Sequence, residues 1–202
     1  MAITYPFDLL ASFPGWSVEF DLLWRQEQSR QANGRTIVKD MGSPLWRATY
    51  QSRQMRANEL DKWRARLHAM ENGLKTFKGY PLSRCRPIAH PGSSALPSGT
   101  IASIGADRKT VTLSGLVGIT LQSGDMICIR DKDLHQIVDV AAGVYEVRPH
   151  IWPGVDAGDS PAPTVTISKP HCIMAIVPGS ITSTADMQSG IGAVSFQAIE
   201  AR

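Results

Sequence analysis

From Asn58 onward the apolar residues Leu60, Trp63, Leu67, Met70 and Leu74 recur at spacings of 3, 4, 3 and 4, which lays a single apolar stripe along an α-helix. The spacing predicts a helix from about Glu59 to Asn72. Asn58 is suited to accept from the free N–H groups as N-cap, Glu59 and Asp61 complement the positive helix start, and Asn72-Gly73 supplies a left-handed stop. Lys62, Arg66 and Glu71 fall on the outer face, with Arg64 and His68 at its margin. His68 reads as a solvated helix residue.

A different period surrounds the helix. Trp16 to Leu22 alternates apolar with polar, as does Leu45 to Tyr50 more loosely, which predicts strands with one buried face. Between them, Gln31-Ala32-Asn33-Gly34-Arg35 carries an Asn-Gly turn signal that joins two strands. Phe77 to Leu82 reads as extended, with Pro81 at an edge or end because proline cannot donate to a ladder. Trp46, Leu60, Trp63, Leu67 and Met70 are the predicted core, with the helix packed on a sheet.

Arg86 to Gly99 holds three prolines together with Gly and Ser, and is read as a boundary between structural units. Beyond it come short β-rich runs at Thr100–Ile104, Thr110–Leu113, Asp125–Arg130, Gln136–Ala141, Gly143–Pro149 and Pro163–Ile167. Their number and turn spacing suit a small Greek-key barrel such as an OB-fold, or equally a sandwich. The Pro/Gly-rich stretch Trp152–Pro163 is a loop within that unit. After Pro170, alternation at Cys172, Met174, Ile176 and at Val194, Phe196, Ala198 predicts two more strands that rejoin the first unit. The expected layout is residues 1–86 plus 171–202 as one domain, interrupted by residues 87–170.

Thirteen prolines and seventeen glycines in 202 residues agree with many short elements and argue against a long helical bundle. No stretch approaches the roughly 18 consecutive apolar residues of a membrane span, and Met1-Ala2-Ile3-Thr4-Tyr5-Pro6 lacks the pattern of a secretory signal. The odd, scattered cysteines Cys85, Cys128 and Cys172 exclude a disulfide framework and point to folding in a reducing cytoplasm. The net charge of +3 divides unevenly, +6 over residues 1–86 and −3 over the rest. Arginines 47, 53, 56, 64 and 66 lie within or beside the amphipathic helix, where charge ordinarily solvates an outer face, so a nucleic-acid site is not the favoured reading. Opposite charge on two regions suits self-stacking or stacking on neighbours in an assembly.

Catalytic signatures are missing: there is no G-x-S-x-G, Walker loop, H-E-x-x-H or G-x-G-x-x-G. The sharpest candidate is Arg130-Asp131-Lys132-Asp133-Leu134-His135, read as a charged hairpin turn because turns select such residues. A hydrolase would require folding to gather His135, His150 or His171 with distant carboxylates. No cysteine forms a C-x-x-C pair, and the neighbours His171 and Cys172 lack structural-zinc spacing. No catalytic, cofactor-binding or metal-binding residue is therefore expected. Of the tryptophans, Trp16, Trp24, Trp46 and Trp63 lie on segments expected to form the first core. Trp152, in a Pro/Gly loop, is the weak candidate for ligand contact through ring stacking.

Leu45-Trp46-Arg47-Ala48-Thr49-Tyr50, the helix through Asn58-Glu59-Leu60-Asp61-Lys62-Trp63, then Leu67 and Phe77-Lys78-Gly79-Tyr80-Pro81-Leu82, resemble distal tail proteins of long-tailed bacteriophages in kind and order. Leu113–Leu116, Leu121–Ile127, Val144–Val147 and Arg148–Ile151 are similar to the β-rich middle of phage tail-tip proteins. The resemblance covers most of the chain as a pattern.

It implies a mainly β fold with one packed α-helix: a split β-barrel tail-ring domain carrying an inserted small OB-like β-barrel. It further implies a virion protein, made in the bacterial host cytoplasm, that forms a homo-oligomeric and typically hexameric ring at the tail tip. Its partners would be the tail tube protein, the tip or baseplate hub, and fibres or receptor-binding proteins. DNA would pass through the lumen without specific binding, and no membrane insertion is expected. A carbohydrate-binding module in host attachment, or a cell-wall hydrolase, are the alternatives.

Overall fold

Alternating apolar residues can bury one face of a sheet only if something apolar covers that face, and here the cover is the helix. The computed structural model describes residues 3–202; Met1 and Ala2, part of the stretch read for a secretory signal, lie outside the described residues. The fold is mainly β, with one α-helix among the described residues and a closed six-stranded barrel.

The first half of the chain supplies β1 (Gly15–Leu23), β2 (Gln26–Arg30), β3 (Thr36–Asp40), β4 (Leu45–Ser52), α1 (Ala57–His68) and β5 (Thr76–Gly79). The last segment supplies β12 (Cys172–Ile176), β13 (Thr182–Ala185) and β14 (Gly192–Glu200). Their sheet runs β1-β4-β14-β12-β5, with β13 paired to β14, and every pairing is antiparallel. Strands before residue 80 and after residue 171 thus interleave in one sheet. On its inner face stand Trp46, Ala48 and Tyr50 of β4, Phe77 of β5, Cys172, Met174 and Ile176 of β12, and Val194, Phe196 and Ala198 of β14, all buried. α1 lays Leu60, Trp63 and Leu67 on them, with Met70 just beyond its end, so all five predicted core residues are buried.

The helix differs from its prediction at both ends. It begins at Ala57, so Asn58 lies inside the first turn and Arg56 holds the cap position without a side-chain bond. Tertiary pairing fixes the start instead: Met55 and Gly192 exchange two backbone hydrogen bonds of 2.7 and 3.0 Å. At the other end the α-helix stops at His68, and a 3₁₀ turn over Glu71–Gly73 follows. Glu71 (φ 49°), Asn72 (φ 53°) and Gly73 (φ 100°) are all left-handed, and a Cβ on Gly73 would lie 2.3 Å from the Ile176 carbonyl oxygen. That reversal breaks the helical phase, so Leu74, counted in the stripe, is 80% exposed. Arg66, assigned to the solvated face, folds inward: its guanidinium stacks on Trp63 at 4.7 Å and Phe7 at 5.5 Å and donates to the Ala11 carbonyl.

Two tryptophans expected in this core are outside it. Trp16 is 81% exposed because the β1–β4 register shifts between Gly15 and Ser17, leaving Trp16 as the unmatched residue of a bulge. Trp24 is 53% exposed because β1 runs there into a projecting hairpin.

The middle of the chain forms β6 (Gly99–Ile104), β7 (Thr110–Ser114), β8 (Met126–Ile129), β9 (Asp133–Ala141), β10 (Val144–Arg148) and β11 (Thr164–Thr166). They close in the order β10-β7-β6-β11-β8-β9. Ile101, Val111, Ile127, Ile129, Ile137, Val147 and Val165 fill the interior. The Pro-rich run ahead of the barrel is fastened to it: the buried Asp125 carboxylate accepts from Ile88 N–H at 2.7 Å and Gln122 N–H at 2.8 Å. The Trp152–Pro163 loop is held similarly. The Arg108 guanidinium donates to the carbonyls of Ile151, Trp152 and Val155, and Arg130 donates to the Gly154 carbonyl and the Asp159 carboxylate. No helix among the described residues is long and apolar enough to cross a membrane.

Candidate functional site

Two regions stand apart from ordinary packing: an arm with nothing beneath it, and the junction where the barrel meets the sheet. β2 and β3 pair from Gln26↔Asp40 to Arg30↔Thr36, and the turn uses Gly34 at φ 83° with Asn33 Oδ1 accepting from Arg35 N–H at 3.0 Å. The Asn-Gly signal is thus used as predicted. Every residue from Leu23 to Met41 is exposed. At about 3.4 Å per residue the hairpin reaches roughly 20 Å past the sheet. It carries Trp24, Ile37, Val38 and Met41 into solvent. A two-stranded hairpin with nothing packed on either face is only marginally stable in water. The arm also extends β1, which has β4 on one side and no strand on the other among the described residues. The opposite edge strand, β5, is covered in part by Phe7, which bridges to Phe77.

At the junction, the outward face of β8 and the start of β9 meet the sheet. The Trp46 indole N–H donates to the Leu134 carbonyl at 2.8 Å, and Leu134 itself belongs to the sheet core. The Trp46 backbone N–H donates to Glu200 Oε2 at 3.0 Å, while Glu200 Oε1 accepts from Arg202 Nε at 2.6 Å. Burial pushes the Glu200 carboxyl up, and these two donors oppose the shift. Arg202 then lies over the Trp152 ring, 3.8 Å from its centre. A cleft of about 340 Å³ opens here, lined by Arg130, Asp133, Trp152, Val155, Ile173 and Arg202. Trp152 lines this cleft, but one face of its ring is taken by a guanidinium, and its buried Nε1 has no protein partner.

The charged run 130–135 is only half a turn. Arg130, Asp131 and Lys132 make the reversal, whereas Asp133, Leu134 and His135 already belong to β9 and are buried. Register explains it: Ile129↔Asp133 and Ile127↔His135 put both side chains on the barrel-facing side of the ladder. His135 Nδ1 donates to the Pro149 carbonyl at 2.9 Å and Nε2 has no partner. Burial lowers its pKa to about 4, with Arg202 and His150 adding to the shift and the Pro149 bond opposing it. Asp133, also buried, is pushed up by desolvation. Substituting either residue therefore perturbs the barrel itself. His150 is half-buried beside Trp152, with ring centres 6.2 Å apart, and does not join them.

Folding does bring one histidine to a carboxylate. His171, on the approach to β12, lies with Nε2 3.4 Å from Asp131 Oδ1, and the buried Cys128 thiol of β8 completes a cluster whose ligating atoms all lie within 4.8 Å of one another. Burial pushes that thiol up to about 12, and the backbone N–H of His171 opposes the shift. His171's chain neighbour Cys172 takes no part, since its Sγ turns into the sheet core toward the Gly79 carbonyl. Sequence spacing could not find this set, because its members come from β8, the following turn and a segment 40 residues later.

Four of the five arginines within or beside the helix, Arg47, Arg53, Arg64 and Arg66, bind other protein groups. Arg53 pairs with Glu59 and Arg64 with Asp61, each at 3.2 Å, Arg64 also donates to Ser183, and Arg47 donates to Gln197. No protein-family model matches the chain, and no curated protein matches it.

Proposed function

We propose that this protein is a structural component of a bacteriophage tail tip, assembling as a homo-oligomeric, typically hexameric ring that joins the tail tube to the hub and carries fibres or receptor-binding proteins. The observation that supports this reading most strongly is the open nine-residue edge of β1 running into the β2–β3 arm, which is exposed along its whole length. An edge strand with unpaired backbone groups is a template for pairing with another chain. An arm reaching past it contacts a different surface on the next copy, and such head-to-tail contacts close into rings when the rotation permits. The charge split between a basic first half and an acidic remainder also suits stacking on further copies of the chain. The sheet with its packed helix would be the tail-ring domain, and the central barrel would be its OB-like insertion. In this role the lumen passes DNA without reading it, and no residue performs chemistry.

Light scattering on the purified full chain, followed by negative-stain imaging, tests the reading. Rings of hexameric mass are expected. A chain that stays monomeric both alone and with purified tail tubes would overturn it. The carbohydrate-binding alternative draws on Trp152 beside its cleft; glycan affinity lost in Trp152→Ala with the fold kept would favour that module over the ring.

A further inference from the structure

A neutral His171 imidazole carries one ring proton, and both of its ring nitrogens face acceptors. His171 Nδ1 lies 3.0 Å from the Lys169 carbonyl oxygen, which can only accept, so the ring proton of a neutral imidazole belongs on Nδ1. Nε2 then presents a lone pair. Yet Nε2 faces two more acceptors, the Asp131 carbonyl oxygen at 3.1 Å and Asp131 Oδ1 at 3.4 Å. Cys128 Sγ adds a fourth electron-rich atom on the buried side.

We propose that Cys128 Sγ, His171 Nε2 and Asp131 Oδ1 form a binding site for a zinc-like divalent cation, with solvent as the fourth ligand. The donor set is mixed thiolate, imidazole and carboxylate, which zinc accepts in tetrahedral geometry. Ligands about 2.0–2.1 Å from a tetrahedral metal stand about 3.3 Å apart, close to the separation of Nε2 and Oδ1. The surroundings match those of a metal-ligating histidine, whose other ring nitrogen is ordinarily held by a backbone carbonyl, as Lys169 holds Nδ1. Lys78 Nζ binds Asp131 Oδ2 at 2.6 Å, which orients the carboxylate and leaves Oδ1 free for the cation. Asp131 is exposed while Cys128 and His171 are buried, so the site opens to solvent on one side only. Binding deprotonates the thiol and releases its proton to solvent, so affinity rises with pH.

The consequence is mechanical. Cys128 and Asp131 belong to the barrel and the turn that follows β8, whereas His171 leads into β12 of the sheet, so the cation would staple the barrel to the sheet. This is independent of ring formation, since all three ligands come from one chain.

Cobalt(II) is a spectroscopic substitute for zinc, because a thiolate ligand gives a sulfur-to-cobalt charge-transfer band. Titration of the reduced full chain with Co²⁺ is expected to show that band saturating at one equivalent and bleaching on addition of Zn²⁺. Cys128→Ser should abolish it, and Cys85→Ser should leave it intact. Because Cys128 is buried, Asp131→Asn at the exposed turn serves as the variant least able to disturb folding, with apparent affinity expected to fall at least tenfold. A folded protein giving no charge-transfer band with stoichiometric Co²⁺ would reduce the cluster to a histidine–carboxylate contact and sink the proposal. So would a band that persists in Cys128→Ser.

Discussion

Trp46 and Leu134 lie on opposite sides of the junction between sheet and barrel, and the indole N–H of one donates to the backbone carbonyl of the other at 2.8 Å across 88 residues of sequence. Both side chains are buried in the sheet core, so the bond is shielded from water and its loss would strand a buried acceptor. An unsatisfied buried carbonyl costs about 1–3 kcal/mol. Trp46→Phe keeps an aromatic ring in place but removes the donor. Its free energy of unfolding in urea should fall by about 2 kcal/mol with the far-UV circular dichroism unchanged. A variant within 0.5 kcal/mol, roughly the scatter of neutral surface changes, would show that this bond does not fasten the barrel.

Trp63 carries the helix onto the sheet. It is buried, meets Phe13 edge-on at 5.1 Å between ring centres, and is covered by the Arg66 guanidinium. Truncation to alanine removes the ring from both neighbours and leaves a cavity that the sheet cannot fill by relaxing. Trp63→Ala should destabilise the protein by about 3 to 5 kcal/mol. Thermal unfolding indistinguishable from the unaltered chain would contradict the packing of α1 described above.

What the sequence made legible follows from how strongly one face is buried. β4 and β14 alternate in sequence because their inner residues lie under α1 while the outer ones are half-buried or exposed; β12, apolar at every position, alternates only in burial, and the cover that buries these faces also made Leu60, Trp63, Leu67 and Met70 readable as core. Where local geometry interrupts the period, pattern misleads. A bulge turns Trp16 out, and three left-handed residues turn Leu74 out, though each stands at the expected spacing. β13 (Thr182–Ala185) shows no alternation because it is almost wholly exposed, and pairing with β14 alone defines it. Asp133 and His135 are charged or polar in a turn-like run, and only the β8–β9 register reveals that they are interior. The Cys128, Asp131 and His171 cluster, like the Trp46–Leu134 bond, depends on long-range closure of barrel onto sheet.

His135 gives the protein an acid-sensitive element. In the unfolded chain a histidine titrates near 6.5, whereas burial holds the native side chain near 4. Between these values the unfolded state binds a proton that the native state refuses, so stability is full above pH 6.5 and falls as the pH drops toward 4. The loss is at most about 3 kcal/mol, from 1.36 kcal/mol per pH unit. His135→Leu should flatten that slope, while lowering stability at pH 7 by about 1–3 kcal/mol because the Pro149 carbonyl loses its donor. Urea midpoints measured from pH 4 to 8 would test this. Parallel pH profiles for the two proteins would mean that another group sets the acid sensitivity.

The arm separates assembly from folding. Ile37 and Val38 are about half exposed, on opposite faces of the β2–β3 ribbon, and neither belongs to a core cluster. Replacing both with serine removes apolar surface without emptying any internal space, so monomer stability should shift by no more than about 0.5 kcal/mol. If the arm docks on the next copy, the same change exposes no new cavity in the monomer but weakens every contact around the ring. Association followed by light scattering over a concentration series should then shift at least tenfold to higher protein concentration, about 1.4 kcal/mol per contact. Assembly at unchanged concentration in Ile37→Ser/Val38→Ser would move the contact off the arm and onto the open edge of β1, where Trp16 stands exposed at the bulge and Trp16→Ser becomes the variant that decides.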